Sequence, residues 1–272
     1  MRIVLAPLSP FPLALALLAG CSPEPAPAPA PTATTVPAAP SGPVLGPGEV
    51  AFPSGSEQVV AYLARPKGQG PFPALVVIHE WWGLNAQIRG MADQLARQGY
   101  LSLAVDLYRG RQTDNPEQAH ELMRGLPEDR ALRDLAAAFA YLKASPEVNP
   151  DRIGSIGWCM GGGYSIKMAV AEPTLAACAV YYGPLPTERE SLAAIKAPVV
   201  GFFGDKDEGI PEASVLAFDD AMREVGRPVE VHVYRNAGHG FANPEGKSFH
   251  RQAAEDAWGK LLAFFGTHLK GE

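Results

Sequence analysis

Three side chains in this sequence stand in settings that could make and break a covalent bond: a thiol, a carboxylate and an imidazole. The thiol is Cys159, in Gly157-Trp158-Cys159-Met160-Gly161, where an apolar run (Ile153, Ile156, Trp158) meets a cluster of small residues. Gly-x-Cys-x-Gly is the thiol version of the Gly-x-Ser-x-Gly elbow, in which a nucleophile sits on a sharp strand-to-helix turn. Such a turn crowds its own flanks, so the residues two before and two after must be nearly without side chains. It also aims the thiol at the positive end of the following helix, where free N–H groups favour a thiolate and an oxyanion. Taken alone, the pattern fits a buried structural cysteine beside a glycine-rich turn equally well.

Two further loops change that balance. Residues 204–211, Gly204-Asp205-Lys206-Asp207-Glu208-Gly209-Ile210-Pro211, offer acids, with Asp207 and Asp205 both candidates. Residues 236–241, Asn236-Ala237-Gly238-His239-Gly240-Phe241, offer a histidine flanked by glycines. A neutral thiol is a poor nucleophile, so an imidazole must take its proton and a carboxylate must hold that imidazole in the right tautomer. Each loop follows a predicted strand, and parallel sheets gather ligands at the carboxyl ends of their strands. The chain order of nucleophile, acid, histidine is that of α/β-hydrolases.

The elements that must position these loops alternate. Strands are predicted at 58–63, 74–78, 101–105, 176–182, 198–203 and 230–234, with a further strand entering the elbow. Residues 74–78 form a continuous apolar run, as expected of a central parallel strand buried on both faces. Between the strands lie helical stretches: one with Ile88, Met91 and Leu95 on one face, others at 117–124, 130–144 and 164–171, one carrying Val215, Phe218, Met222 and Val225, and a last with Trp258, Leu261, Leu262 and Phe265. This pattern implies an α/β fold, a mostly parallel sheet covered by helices on both faces, with no insertion long enough for a lid domain.

With these residues in view, the chain resembles the dienelactone hydrolase family over residues 50–270. The matching stretches are His79-Glu80-Trp81-Trp82-Gly83, Asp106-Leu107-Tyr108, Gly157-Trp158-Cys159-Met160-Gly161-Gly162, Gly204-x-x-Asp207-x-x-Ile210-Pro211 and Ala237-Gly238-His239-Gly240-Phe241. The resemblance implies the α/β-hydrolase fold, with Cys159 as nucleophile, Asp207 as acid and His239 as base. It makes Glu80 a carboxylate that helps control the thiol's proton, though Glu80 also fits a buried salt-bridge partner. It implies an oxyanion hole from the N–H groups of Met160 and Trp81. Members specific for dienelactones hold the substrate carboxylate with two arginines. One corresponds here to Arg109 or Arg111; the other falls on Asn243, so one cation of that clamp is missing. Trp82, paired with Trp81, suggests a bulky apolar wall to the substrate site, or a pair of core aromatics.

Outside this domain (49–272) the chain is of another kind. Residues 1–20 read as a signal peptide: Arg2 supplies a positive start, and an apolar run follows that is too short for the ~20 residues needed to span a bilayer. Leu18-Ala19-Gly20-Cys21 resembles a bacterial lipobox, which would make Cys21 a lipidated N-terminus followed by a tether at 21–48. Of the 27 residues at 22–48, nine are proline and Glu24 is the only charge, so the segment should be extended and solvated. At ~3.1 Å per residue it reaches at most roughly 80 Å. The cell envelope, on the periplasmic side, is the expected location.

Charged residues make up 19% of the chain and the net charge is −6, with no basic stripe, so nucleic acid is not an expected partner. Of the three cysteines, Cys178 falls in an apolar run and is expected in the core rather than in a disulfide. The expectation is a monomeric enzyme needing no metal or organic cofactor, which hydrolyses a small ester or lactone through an acyl-cysteine. A non-catalytic envelope binding protein and a redox-sensing thiol are the alternatives from other classes.

Overall fold

The computed structural model describes residues 43–272. The signal peptide, Cys21 and all but the last residues of the tether lie outside the described residues. The strands are β1 (Glu49–Ser54), β2 (Glu57–Ala64), β3 (Phe72–Ile78), β4 (Leu101–Val105), β5 (Val148–Trp158), β6 (Ala177–Tyr181), β7 (Val199–Gly204) and β8 (Val229–Tyr234). The helices are α1 (Ala86–Arg97), α2 (Pro116–Arg124), α3 (Glu128–Ala144), α4 (Met160–Ala171), α5 (Arg189–Ala194), α6 (Glu212–Glu224) and α7 (Arg251–Phe265), the last running on into a wider turn at Gly266–Lys270. One eight-stranded sheet has the order β1-β2-β4-β3-β5-β6-β7-β8. The β1–β2 and β2–β4 pairings are antiparallel and every other pairing is parallel.

The two faces follow from the alternation of side chains along each strand. On one face Ala74, Val76 and Ile78 of β3 pack with Leu135, Phe139 and Leu142 of α3, Ile166 of α4 and Phe218 of α6. On the other, Leu75 and Val77 pack with Ile88 and Leu95 of α1 and with Leu261 and Phe265 of α7. The starts of α1 and α2 are fixed by side chains that satisfy free N–H groups. Asn85 accepts from the N–H of Ile88 at 3.1 Å, and Asn115 accepts from that of Gln118 at 3.0 Å with Pro116 at the first helical position. Among the described residues no helix is long and apolar enough to cross a membrane.

The structure departs from the sequence expectation in three places. β1 lacks an apolar alternation to announce it; it pairs with β2 from Glu49↔Tyr62 to Ser54↔Glu57 and buries little beyond Phe52 and Ser54. α5 is a six-residue helix, too short for a periodic signal. α4 starts at Met160 rather than at residue 164, so Gly161, Gly162 and Gly163 are helical despite their poor propensity. Packing overrides propensity there: a Cβ on Gly162 would stand 2.8 Å from the Tyr181 carbonyl oxygen.

An ion pair between a buried carboxylate and a half-buried guanidinium anchors the loop after β4. Asp134 of α3, fully buried, accepts from Ser54 Oγ at 2.6 Å and pairs with Arg109 at 2.8 Å. Arg109 also reaches Glu57 at 3.2 Å. Removing Arg109 would strand the buried Asp134 carboxylate without its charge partner. The loop carrying Tyr108 and Arg111 is therefore tied to α3 and the β1–β2 hairpin.

Candidate active site

Cys159 stands between β5 and α4 with φ 54° and ψ −121°, left-handed backbone that a residue with a side chain adopts only under constraint. Its N–H donates to the Tyr181 carbonyl at 3.0 Å and its carbonyl accepts from Gly163 at 3.2 Å, so both flanks of the turn are pinned. The flanking glycines are required by close approach. A Cβ on Gly157 would lie 2.0 Å from the Gly161 carbonyl oxygen, and one on Gly161 would lie 2.3 Å from that of Ile78. Cys159 is half-buried, whereas Cys178 is buried in β6 with its thiol pushed up to about 11 by burial; neither forms a disulfide.

Asp207 and His239 come together at the ends of β7 and β8. Asp207 Oδ1 accepts from the N–H groups of Gly209 and Ile210 at 2.9 and 3.0 Å, which leaves Oδ2 to meet His239 Nδ1 at 2.7 Å. With Nδ1 engaged, the other ring nitrogen is the one left for the Cys159 thiol, which acts electrostatically on His239. Burial by itself would lower the His239 pKa. The hydrogen bond to Asp207, the interaction with Cys159 and the charges of both outweigh it and raise it to about 10. Asp205 is occupied elsewhere: it accepts from the Asn236 N–H at 2.7 Å and pairs with Lys206 and Arg235.

Glu80 follows β3 and is 4% exposed. Burial raises its pKa, against the hydrogen bond from Asn243, the charge of His239 and the Tyr182 phenol. Asn243 Nδ2 donates to Oε2 at 3.0 Å and the Tyr182 O–H donates to Oε1 at 3.5 Å. Glu80 has no lysine or arginine partner among the described residues, contrary to a salt-bridge role. Asn243, expected as a substrate contact, spends its amide on Glu80 instead. His79 stays behind this layer: its Nδ1 meets the Glu80 carbonyl at 2.5 Å while Leu107 N–H donates to its Nε2 at 3.3 Å. Those partners fix the Nδ1–H tautomer, and burial lowers its pKa.

The other expected residues divide. The N–H groups of Met160, at the first position of α4, and of Trp81 have no acceptor among the described residues. Trp81 packs on Trp82 (centroids 4.7 Å) and on His120 of α2 (4.9 Å). Arg109 is committed to Asp134 and Glu57, so its guanidinium is not free for a substrate. Arg111 has no acidic partner among the described residues. It shares an electrostatic neighbourhood with Cys159 at Tyr108: burial pushes that phenol up, Tyr164 and Cys159 add to the rise, and Arg111 opposes it. The Tyr108 O–H donates to Met160 Sδ at 3.2 Å, placing this loop beside the elbow. Arg111 also lines a groove of ≈ 590 Å³ with Gln118, Glu121 and Leu122 of α2. Tyr182, φ 37°, is the participant that sequence reasoning missed. No group of three or more His, Cys, Asp or Glu among the described residues could hold a metal ion.

A doubly covered, mostly parallel sheet with an elbow, an acid and a histidine in this order defines the α/β-hydrolase class. Within it, the chain belongs to the dienelactone hydrolase family, whose model matches residues 59–269. It is 33% identical to a protein of Methylorubrum extorquens named "Putative carboxymethylenebutenolidase", over 80% of each chain. It is 31% identical to a Bradyrhizobium protein named "Probable 2-oxo-3-(5-oxofuran-2-ylidene)propanoate lactonase", over 79% of this chain and 92% of that one. A crystal structure titled as a putative dienelactone hydrolase from Klebsiella pneumoniae superposes with a TM-score of 0.75 at 32% identity, covering 80% of this chain and 97% of that one.

The His239 shift has a worked-out pH consequence. Its folded value lies above the ordinary 6.5, so the stability it contributes is complete below 6.5 and is lost as pH rises through about 10. In an NMR titration of the free protein the His239 ring should stay protonated well past neutrality, and Asp207→Asn should bring its titration down. A ring that titrates at its ordinary value in the wild type contradicts this geometry.

Proposed function

We propose that the chain hydrolyses a small ester or lactone through a covalent acyl-cysteine. The observation that carries the reading is the Asp207–His239 pair at 2.7 Å beside the strained elbow cysteine, with Nδ1 held by Asp207 so that the other nitrogen is left for the thiol. The reacting form is a thiolate–imidazolium pair, in which His239 already holds the Cys159 proton. The thiolate attacks the substrate carbonyl carbon, and the carbonyl oxygen becomes an oxyanion stabilised by the free N–H groups of Met160 and Trp81. Collapse expels the alkoxide, which takes the imidazolium proton and leaves the acyl group on Cys159. His239 then deprotonates a water that attacks the thioester; the carboxylic acid leaves and the thiol is restored.

On the substrate side, Arg111 would meet an anionic group and the Trp81–Trp82 pair would form an apolar wall. Asn243 supplies no second cation, so an ester or lactone with at most one carboxylate suits the site better than a dianion. Lactonase activity is also the activity named for the Bradyrhizobium relative.

The location proposed is the bacterial cell envelope, extracytoplasmic and on the periplasmic side, with Cys21 diacylated and residues 22–48 as the tether, since two acyl chains hold a protein stably where one is marginal. Mass spectrometry of the mature N-terminus should show lipid on Cys21; an unmodified Cys21 or a cleavage elsewhere rules the anchor out.

Turnover of a panel of p-nitrophenyl esters and lactones tests the chemistry. Cys159→Ala should abolish turnover with little change in thermal stability. Asp207→Asn should lower kcat by ~10²–10⁴-fold, as when the residue orienting a catalytic histidine is changed. Asp205→Asn should be mild. Full activity in Cys159→Ala, or a larger loss for Asp205 than for Asp207, refutes this assignment.

A further inference from the structure

Tyr182 is the least expected residue around the site. It follows β6 with φ 37°, a conformation held by its N–H donating to the Phe202 carbonyl at 2.8 Å. The next residue, Gly183, lies so close to α4 that a Cβ would stand 2.4 Å from the Gly163 nitrogen. The ring is fully buried, edge-on to His239 (centroids 5.2 Å) and to Phe241 (5.4 Å). Among the described residues its hydroxyl has one hydrogen-bond acceptor, Glu80 Oε1 at 3.5 Å. A buried phenol O–H is normally satisfied, so this contact accounts for the only side-chain donor the residue has.

Asn243 approaches the same carboxyl group from the opposite oxygen. Its N–H donates to the Gly240 carbonyl at 3.0 Å, and its Oδ1 accepts from the Glu245 N–H at 3.0 Å. The second contact settles which way the amide faces, leaving Nδ2 for Glu80. Both donors are therefore fixed by backbone on their own loops, not by the carboxylate they serve.

We propose that Tyr182 and Asn243 are positioning residues that hold Glu80 between them, one on each oxygen, and thereby control when it is charged beside His239. The inference rests on the reading of Cys159 and His239 as the reacting pair. The ionisable groups facing Glu80 are few. His239 reaches it from the loop after β8 and Tyr182 from the end of β6; Cys159, from the elbow, acts on both of those. Asp207 lies beyond the imidazole, and the His79 ring is turned to the Glu80 carbonyl and Leu107. A charged Glu80 stabilises the imidazolium; a protonated one does not. Burial favours the protonated form, and the two donors oppose burial because each favours the carboxylate. Removing either donor makes Glu80 hold its proton to higher pH, and support for the imidazolium is then lost at higher pH as well.

The test is the pH dependence of Cys159 alkylation by iodoacetamide, followed by peptide mapping on the full chain, in the wild type, Tyr182→Phe, Asn243→Leu and Glu80→Gln. Tyr182→Phe keeps the ring under His239; if Asn243→Leu does not fold, Asn243→Ala replaces it. The wild type should show an acid-side inflection that Glu80→Gln lacks. Tyr182→Phe and Asn243→Leu should each move that inflection to higher pH, by about one unit for a hydrogen bond to a charged group. A merely structural role lowers the rate at every pH and leaves the inflection in place, which overturns the proposal. An inflection that survives in Glu80→Gln overturns it too, and movement in only one variant overturns the paired arrangement. Alkylation needs no ester turnover. Shifted inflections in a protein that cleaves no ester would refute the hydrolase reading and leave the Glu80 arrangement standing.

Discussion

The left-handed backbone at Cys159 is the constraint on which the rest of the site depends. To hold one non-glycine residue at φ 54°, the chain brings α4 so close to β3 and β5 that Gly157 and Gly161 leave no room for a Cβ. The same approach points the start of α4 at the thiol and sets the Met160 N–H free beside it. Strain of this kind survives only where the surroundings over-determine it, and here a parallel sheet does so. Among the described residues, the other non-glycine residues with positive φ, Arg109, Tyr182 and Asn236, fall just past β4, β6 and β8. All four therefore lie at the carboxyl edge of the sheet, where loops must turn sharply to converge.

Two carboxyl groups at that edge are given different surroundings, and this divides their work. Asp207 receives two backbone N–H groups on one oxygen and the imidazole on the other, an arrangement that fixes its direction toward His239. Glu80 receives only neutral side-chain donors and almost no solvent, so its charge is far more conditional. Environments that treat two neighbouring acids differently are a common way to separate acid and base roles in one site. Histidines divide in the same manner. His79 is locked neutral between a carbonyl and an N–H, while His239 is held protonated by its acidic neighbours.

Much of this was legible in the sequence, because the constraints were local. Gly157 and Gly161 flank Cys159 for steric reasons that need no structure to state, and the buried parallel strands show as unbroken apolar runs. The choice of Asp207 over Asp205 came from the resemblance; the structure puts Asp207 Oδ2 on His239 and turns Asp205 to the Asn236 turn. What the sequence hid depends on contacts between distant segments. Tyr182 looks like the end of an apolar strand, and nothing near it announces that its hydroxyl meets Glu80, 102 residues earlier. Arg109 and Arg111 are indistinguishable as letters two places apart. Only the buried Asp134, supplied by α3, shows which of them is already engaged. The helical glycines of α4 were hidden for the opposite reason: their local propensity is poor, and packing against β6 decides.

The central claim is that bond cleavage passes through Cys159, and trapping the intermediate tests it most directly. A slowly deacylating p-nitrophenyl ester, mixed with the full chain and quenched in acid, should leave an acyl group on the peptide containing Cys159. The adduct should be a thioester, released by hydroxylamine, and it should appear together with the first turnover of nitrophenol. An acyl group found on another residue, or steady nitrophenol release with Cys159 never acylated, would contradict the account.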